Sequence, residues 1–350
     1  MRPPIIARVD RARIAGRWVT DALVELGDTG MRLVPDGEAA GRARDRARIR
    51  ATLVPPITDA HVHLGLADVA AAGPTTLGRV LDLGWAPQAL PGLIDAATAA
   101  HRGLDVRVAG PFHAALGGYP SDRAWAPPGS VVELPDSGEA ARSVRERAHA
   151  GASVVKVTLN ADAGPVPDDA LLAAIADATH ALGLLLVAHV QGQGQALRAL
   201  DAGVDVLAHA PWTERLDDET IARAAASQTW ISTLAMHDRD GDRAALERAS
   251  DNLARFADAG GAVAYGTDLG NGLRRLDLDP SEIAALRQAG IEGTALVDAL
   301  LAESLLPPGP TLTSCSSDVR DDASLVAALI GPPRDRPRPL PRTWFDLEDA

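Results

Sequence analysis

From Pro55 onward the chain repeats one pattern. A short run of β-branched and apolar residues is followed by a turn, and then by a segment whose apolar positions recur at helical spacing and which ends near a glycine. The runs that read as strands are PPITDAHVHL, PTTLGRVLDLG, LDVRVAGPF, ASVVKVTLN, LLLVAHV, VDVLAHA, TWISTLAM and AVAYGTDLG. Between them lie helical segments such as LPGLIDAATAAHRG, SGEAARSVRERAHAG, PDDALLAAIADATHALG, GQALRALDAG, LDDETIARAAASQ and RAALERASDNLARFADAG, several opening on an Asp or Ser cap. Strands and helices alternating eight times over about 250 residues predict an α/β chain with a parallel (β/α)8 TIM barrel over residues 55–306. Two further helices, DPSEIAALRQAG and EGTALVDALLAESLLP, close it.

The flanks break the pattern. Residues 1–54 hold short alternating runs such as RWVTDALVEL and MRLVPDG, which predict a small β-rich segment. Within them GEAAGRARDRARIR is charged and low in complexity, and reads as a solvated excursion. After Pro307 the chain is Pro-rich with one short helical stretch, and a C-terminal tail over 307–350 packed on the body is expected. No returning strand is visible there, so the N-terminal sheet is expected to be reduced.

Composition narrows the function classes. Of 350 residues 46% are hydrophobic and 23% charged, the balance of a soluble globular chain. With 47 acidic against 34 basic residues the net charge is -13, so nucleic acid and membrane are not expected partners. A small-molecule substrate is, and self-association stays open. One cysteine, Cys315, permits neither an internal disulfide nor a thiolate metal cluster, which leaves His, Asp, Glu or a modified side chain as ligands. The longest apolar run, around ALGLLLVAHV, is too short to span a bilayer, and the N-terminus lacks an apolar signal segment, so a cytoplasmic protein is expected. The Ala, Arg, Gly, Asp and Pro bias suits a GC-rich bacterial genome.

Lys156 is the only lysine; the other 33 basic positions are arginine. A buried lysine can lose its proton and act as an amine, which guanidinium cannot. The neutral amine can form a Schiff base, or add carbon dioxide to become an anionic carbamate. In a barrel the chemistry sits at the C-terminal ends of the strands. His61 and His63 end the first predicted strand, two apart and so on one face. His189 ends the fifth, His209 the sixth and Asp268 the eighth. On the fourth strand, alternation turns Val154, Lys156 and Thr158 inward, and Val155, Val157 and Leu159 toward the helices. Six potential ligands thus meet on one rim. His101, His149 and His180 fall near helix C-termini, where the dipole favours a cation, and are assigned no chemistry.

The order DAHVHL, VVKVTLN, VAHV, LAHA, GTDLG resembles the amidohydrolase superfamily over about residues 55–305, and within it binuclear members related to imidazolonepropionase and prolidase-like dipeptidases. The phrases GPTTLGRVLDLG and AGPFHAALGGYP are similar to that group as well. The resemblance implies that His61, His63 and Asp268 bind one divalent metal and His189 and His209 a second, with Lys156 bridging them as a carbamate. An anionic bridge offsets the repulsion of two cations, whereas an ammonium would add to it. Imidazole and carboxylate ligands suit Zn best. It also implies hydrolysis of a C–N amide bond by a metal-bridging hydroxide, with Asp268 shuttling the proton to the leaving nitrogen. Deamination is disfavoured, because HVQGQGQ after His189 lacks the glutamate such enzymes place there.

Specificity is left to the loops. Residues 111–135 form the longest, and suggest a lid or pocket wall from which His113 and Tyr119 could reach a substrate. Trp212, His237 and Arg239 follow strand ends, and Arg274 with Arg275 could clamp a carboxylate, as in a dipeptide or N-acyl amino acid, or pair with Asp277 and Asp279. The leading expectation is hydrolysis of a cyclic amide, dipeptide or N-acyl amino acid. An ester, lactone or phosphotriester hydrolase, a non-catalytic barrel binding protein, and a Schiff-base enzyme using Lys156 stay open.

Overall fold

The computed structural model describes residues 4–35, 48–71 and 73–340. The N-terminal strands are β1 (Ile5–Ile14), β2 (Arg17–Gly27), β3 (Gly30–Leu33) and β4 (Arg48–Val54). Nine of a second group follow: β5 (Thr58–Val62), β6 (Arg79–Asp82), β7 (Asp105–Val108), β8 (Phe112–Ala115), β9 (Val131–Leu134), β10 (Val154–Asn160), β11 (Leu185–Gln191), β12 (Val206–Leu207) and β13 (Thr229–Ile231). Then come β14 (Ala262–Ala264), β15 (Leu312–Cys315) and β16 (Arg338–Leu340). The helices are α1 (Leu90–Ala100), α2 (Ser137–His149), α3 (Asp169–His180), α4 (Gln195–Asp201), α5 (Asp218–Ala225), α6 (Ala235–Arg239), α7 (Arg243–Asp258), α8 (Pro280–Gln288), α9 (Gly293–Leu301) and α10 (Asp322–Ile330).

The result is a mixed α/β chain with parallel sheets. One has the order β5-β6-β7, and the other β14-β13-β12-β11-β10-β8-β9. Backbone hydrogen bonds run between them: Ser153 donates to Val108 at 2.8 Å, and Ala60 to Tyr265 at 2.9 Å. Val62 and Leu269 form a further parallel bridge. The side chains of these strands divide by alternation. Val155, Val157 and Leu159 of β10 join the helix-side core, while Val154 packs with Val187, Val206, Ile231 and Ala264 in an inner cluster beneath the site. Helix starts obey local chemistry: Asp136, Asp168, Asp217, Asp242 and Asp321 each accept a backbone N–H from the first turn.

The flanks depart from expectation. Residues 312–340 are more than a packed tail, because β15 pairs antiparallel with β4 and with β16. The N-terminal sheet therefore has six strands, β16-β15-β4-β1-β2-β3, and is not reduced. A four-residue strand between prolines has no periodicity of its own; the exposed edge of β4 supplies its partner and its register. The expected excursion over 37–50 ends earlier than predicted, since Arg48–Arg50 already belong to β4, and its remainder lies outside the described residues. The last ten residues of the expected tail also lie outside them.

Candidate active site

The C-terminal ends of the parallel strands surround a cavity of about 660 Å³. His61, His63, Lys156, His189, His209 and Asp268 all line it. His61 and His63 stand at the end of β5, their Nε2 atoms 3.3 Å apart. Asp268 Oδ1 lies 3.3 Å from His61 Nε2 and 3.4 Å from His63 Nε2. One donor atom from each of the three falls within 4.8 Å of the others.

The imidazoles are oriented by their far nitrogens. Nδ1 of His61 donates to the Ala208 carbonyl at 2.8 Å, and Nδ1 of His63 to the Gly84 carbonyl at 3.1 Å. A carbonyl can only accept, so a proton sits on Nδ1 and Nε2 is turned to the cavity, where it can donate to Asp268 when the ring is charged or offer its lone pair to a metal when it is neutral. Nδ1 of His209 pairs with Thr233 Oγ1 at 2.8 Å, a hydroxyl that orients the ring and can either accept from it or donate to it. The His209 ring lies 4.6 Å from His61 and 5.0 Å from His189, so the four imidazoles form a continuous row.

Asp59 is a residue that sequence reasoning missed. Its carboxylate accepts from His61 N at 3.1 Å, from Thr267 N at 3.1 Å and from Thr267 Oγ1 at 2.6 Å. One side chain thereby ties the strand end bearing His61 to the turn bearing Asp268. The only signal was its place two residues before His61. Asp82 does similar work, accepting from Leu64 N at 2.7 Å and Gly84 N at 3.0 Å. Asp268 itself has φ of 52° and Thr233 of 46°, left-handed backbone that an L-residue adopts at a cost of order 1 kcal/mol and that the surroundings must hold.

Burial dominates the titration of the site. It pushes Lys156 down to about 7, against the pull of Asp268 and Asp82, and His189 down to about 3. His209 also lies well below the ordinary imidazole value because it is buried. Burial would raise Asp268, but His61 and the bond from His63 overcome it and hold the carboxyl well below its usual range. Burial raises Tyr119 to about 12, so its hydroxyl stays a donor. Lys156 is 1% exposed, and its Nζ has no hydrogen-bond partner among the described residues. A buried ammonium so placed would be costly. The donor set fits divalent metal, and the orphaned, readily neutral amine fits a carbamate that would share it.

Of the residues expected at the substrate, Tyr119, Trp212, His237 and Arg274 line the cavity. His113 does not. Alternation on β8 turns Phe112 in and His113 out, where Nδ1 bonds the Lys156 carbonyl at 3.0 Å and Nε2 meets Ser143 Oγ at 2.9 Å. The 111–135 segment has structure at both ends, β8 and β9, and its middle carries Tyr119 and Trp125 to the cavity. Arg274 bonds the Leu66 carbonyl at 3.2 Å, Arg275 turns away to Pro74, and Asp279 pairs with Arg239 at 3.0 Å. Phe112, Trp125, Gln191, Asp240, Asp242 and Asn271 also line the cavity without having been singled out. They come from strand ends and short βα segments whose facing only the folded chain fixes.

No family model matches the chain, and no curated protein sequence matches it. Solved structures do. A Xaa-Pro dipeptidase with methionine bound in its active site superposes with a TM-score of 0.66 at 16% identity, over 92% of this chain and 96% of that one. A prolidase complexed with N-methylphosphonate-L-proline gives 0.68 at 15% identity, over 97% and 98%. Ochratoxinase from A. niger gives 0.66 at 15% identity, over 90% of each chain. The chain shares the fold of these structures, solved for a Xaa-Pro dipeptidase, a prolidase, ochratoxinase and an amidohydrolase.

Proposed function

We propose that this protein is a metal-dependent hydrolase of a C–N amide bond in a dipeptide, cyclic amide or N-acyl amino acid, built on a (β/α)8 barrel of which the two parallel sheets are arcs. The observation that carries this reading is the convergence of four imidazoles, an ionised Asp268 and an unpartnered Lys156 Nζ on one cavity. The likeness to the solved structures of a Xaa-Pro dipeptidase, a molinate hydrolase and phenylurea hydrolase B supports hydrolytic chemistry. His61, His63 and Asp268 would hold one divalent ion, His189 and His209 a second, Zn foremost, with carboxylated Lys156 as a shared ligand. Bound there, the ions would supply Lewis-acid activation of water and of the scissile carbonyl.

The chain's own groups supply the rest. Asp268, ionised and within 3.4 Å of two imidazoles, can accept a proton and return it to the departing nitrogen. Tyr119 keeps its proton and can donate to a carbonyl oxygen. Arg274 has no carboxylate partner among the described residues and can receive the carboxylate of an N-acyl amino acid.

Elemental analysis after purification with bicarbonate and without chelator tests the centre. About two ions per chain are expected for the native protein, and fewer than about one for Lys156→Met. Asp268→Asn should remain folded and lose turnover by at least about 10²-fold across a panel of amides and esters. Full activity in Asp268→Asn, or a native protein that neither holds nor rebinds metal, would overturn the reading.

A further inference from the structure

The chain is poor in aromatic residues: six Trp, two Tyr and three Phe in 350 positions. Four of these, Phe112, Tyr119, Trp125 and Trp212, line the one cavity that holds the candidate centre. They form two flanks. On one, Phe112 and Trp125 meet edge to face with centroids 6.0 Å apart, and Trp125 lies 6.2 Å from Tyr119 and 6.4 Å from His63. On the other, Trp212 lies 5.6 Å from His189, 5.2 Å from His209 and 5.3 Å from His237. His189 belongs to both flanks, because Tyr119 stacks on it at 5.4 Å. Tyr119 cannot offer a free ring face, since His189 stacks on it and Arg123 sits 5.5 Å from its centroid. What it can present is its edge and its protonated hydroxyl. Trp125 and Trp212 are both only partly buried, so their aromatic surfaces remain open to the cavity.

We propose that the substrate is an N-aroyl or N-arylacyl amino acid, in which a flat aromatic ring lies on the acyl side of the scissile bond. The inference rests on the hydrolase reading and deepens it. The ring packs against Trp125 and Trp212 on the cavity wall, whose π surfaces favour stacked or edge-on partners over aliphatic ones. The adjoining carbonyl then falls beside the Tyr119 hydroxyl and the imidazole row, and the carboxylate of the amino acid lies toward Arg274. Cavities of this size hold one such molecule with most of its surface covered.

Binding separates this inference from hydrolysis. Chelator-treated protein is titrated calorimetrically with N-benzoylglycine, N-(cyclohexanecarbonyl)glycine and N-acetylglycine. The benzoyl compound is expected to bind at least about tenfold tighter than the acetyl one, and tighter than the cyclohexyl compound of similar size. Trp212→Ala should remove most of that preference and Trp212→Phe should keep it; Trp125→Ala provides the second test should Trp212→Ala not fold. Equal binding of benzoyl and acetyl, parity of benzoyl with cyclohexyl, or a preference untouched by both alanine variants would overturn it. Failure of the hydrolase reading looks different: the benzoyl preference persists, but metal-loaded protein cleaves none of the three.

Discussion

Lys156 and Cys315 are both single representatives of their residue types, and burial acts on each in opposite chemical senses. It makes the lysine amine easy to deprotonate and the thiol hard to ionise, since in both cases the charged form is disfavoured. Arginine cannot take the place of Lys156, because guanidinium neither deprotonates nor adds carbon dioxide. Lys156→Arg is therefore expected to lose metal as fully as Lys156→Met, which elemental analysis of the two variants side by side would check. Cys315 is pushed up to about 12. In the folded protein it should not react with a thiol reagent at pH 8, and reaction should appear only on unfolding, as absorbance of the released chromophore reports. The sign of its linkage follows. The unfolded thiol ionises near 9 and the folded one near 12, so the native state holds the extra proton and this group lowers stability as pH rises from 9 to 12.

Among the elements, the long helices α2, α3 and α7 were legible because each combines an Asp cap, an apolar face and a glycine just past its end within its own segment. The short α6 and the strands β8 and β9 were not, because their positions follow from partners distant in sequence. The start of α6 shows how. Glu282 of α8 accepts from Leu234 N at 2.9 Å and Ala235 N at 2.6 Å, one bond on each oxygen, and so fixes the helix that presents His237. Burial raises its carboxyl to about 7. Glu282→Gln would set an amide N–H₂ against one of those donors. It should lower the unfolding free energy by about 1–3 kcal/mol, measured by denaturant titration. The site was legible at this scale wherever it depended on strand alternation: β10 did turn Lys156 and Thr158 to the cavity. The same rule applied to β8 would have excluded His113, had the strand been recognised to begin at Phe112.

At the scale of the whole molecule, β1 near the start of the described residues is joined to α9 and α10 near their end. Arg13 of β1, 0% exposed, bonds Asp298 of α9 at 2.6 Å and Asp322 of α10 at 3.1 Å. A buried guanidinium is held only while its acceptors are present. Arg13→Ala should destabilise by on the order of 3 kcal/mol, at the low end for a broken buried pair because Asp298 is half exposed. A chain ending at residue 306 would remove Asp322 and bare the edge of β4. Such a chain is expected to aggregate on expression, and size-exclusion chromatography of the truncated protein tests this.

The sequence by itself determined the alternation of strands and helices, the inward face of β10, and six candidate ligands, because these depend on local periodicity and on where a strand stops. It also carried the oddity of a lone lysine. Tertiary structure decided what periodicity cannot encode. It returned β15 to β4, since a four-residue strand takes its register from its partner. It placed Asp59 as the tie between His61 and the Asp268 turn, since a carboxylate's role depends on which N–H groups the fold brings within 3 Å. It sent His113 outward, and gathered Trp125 and Trp212 from separate loops onto one cavity, because loop side chains are aimed by the body they pack against.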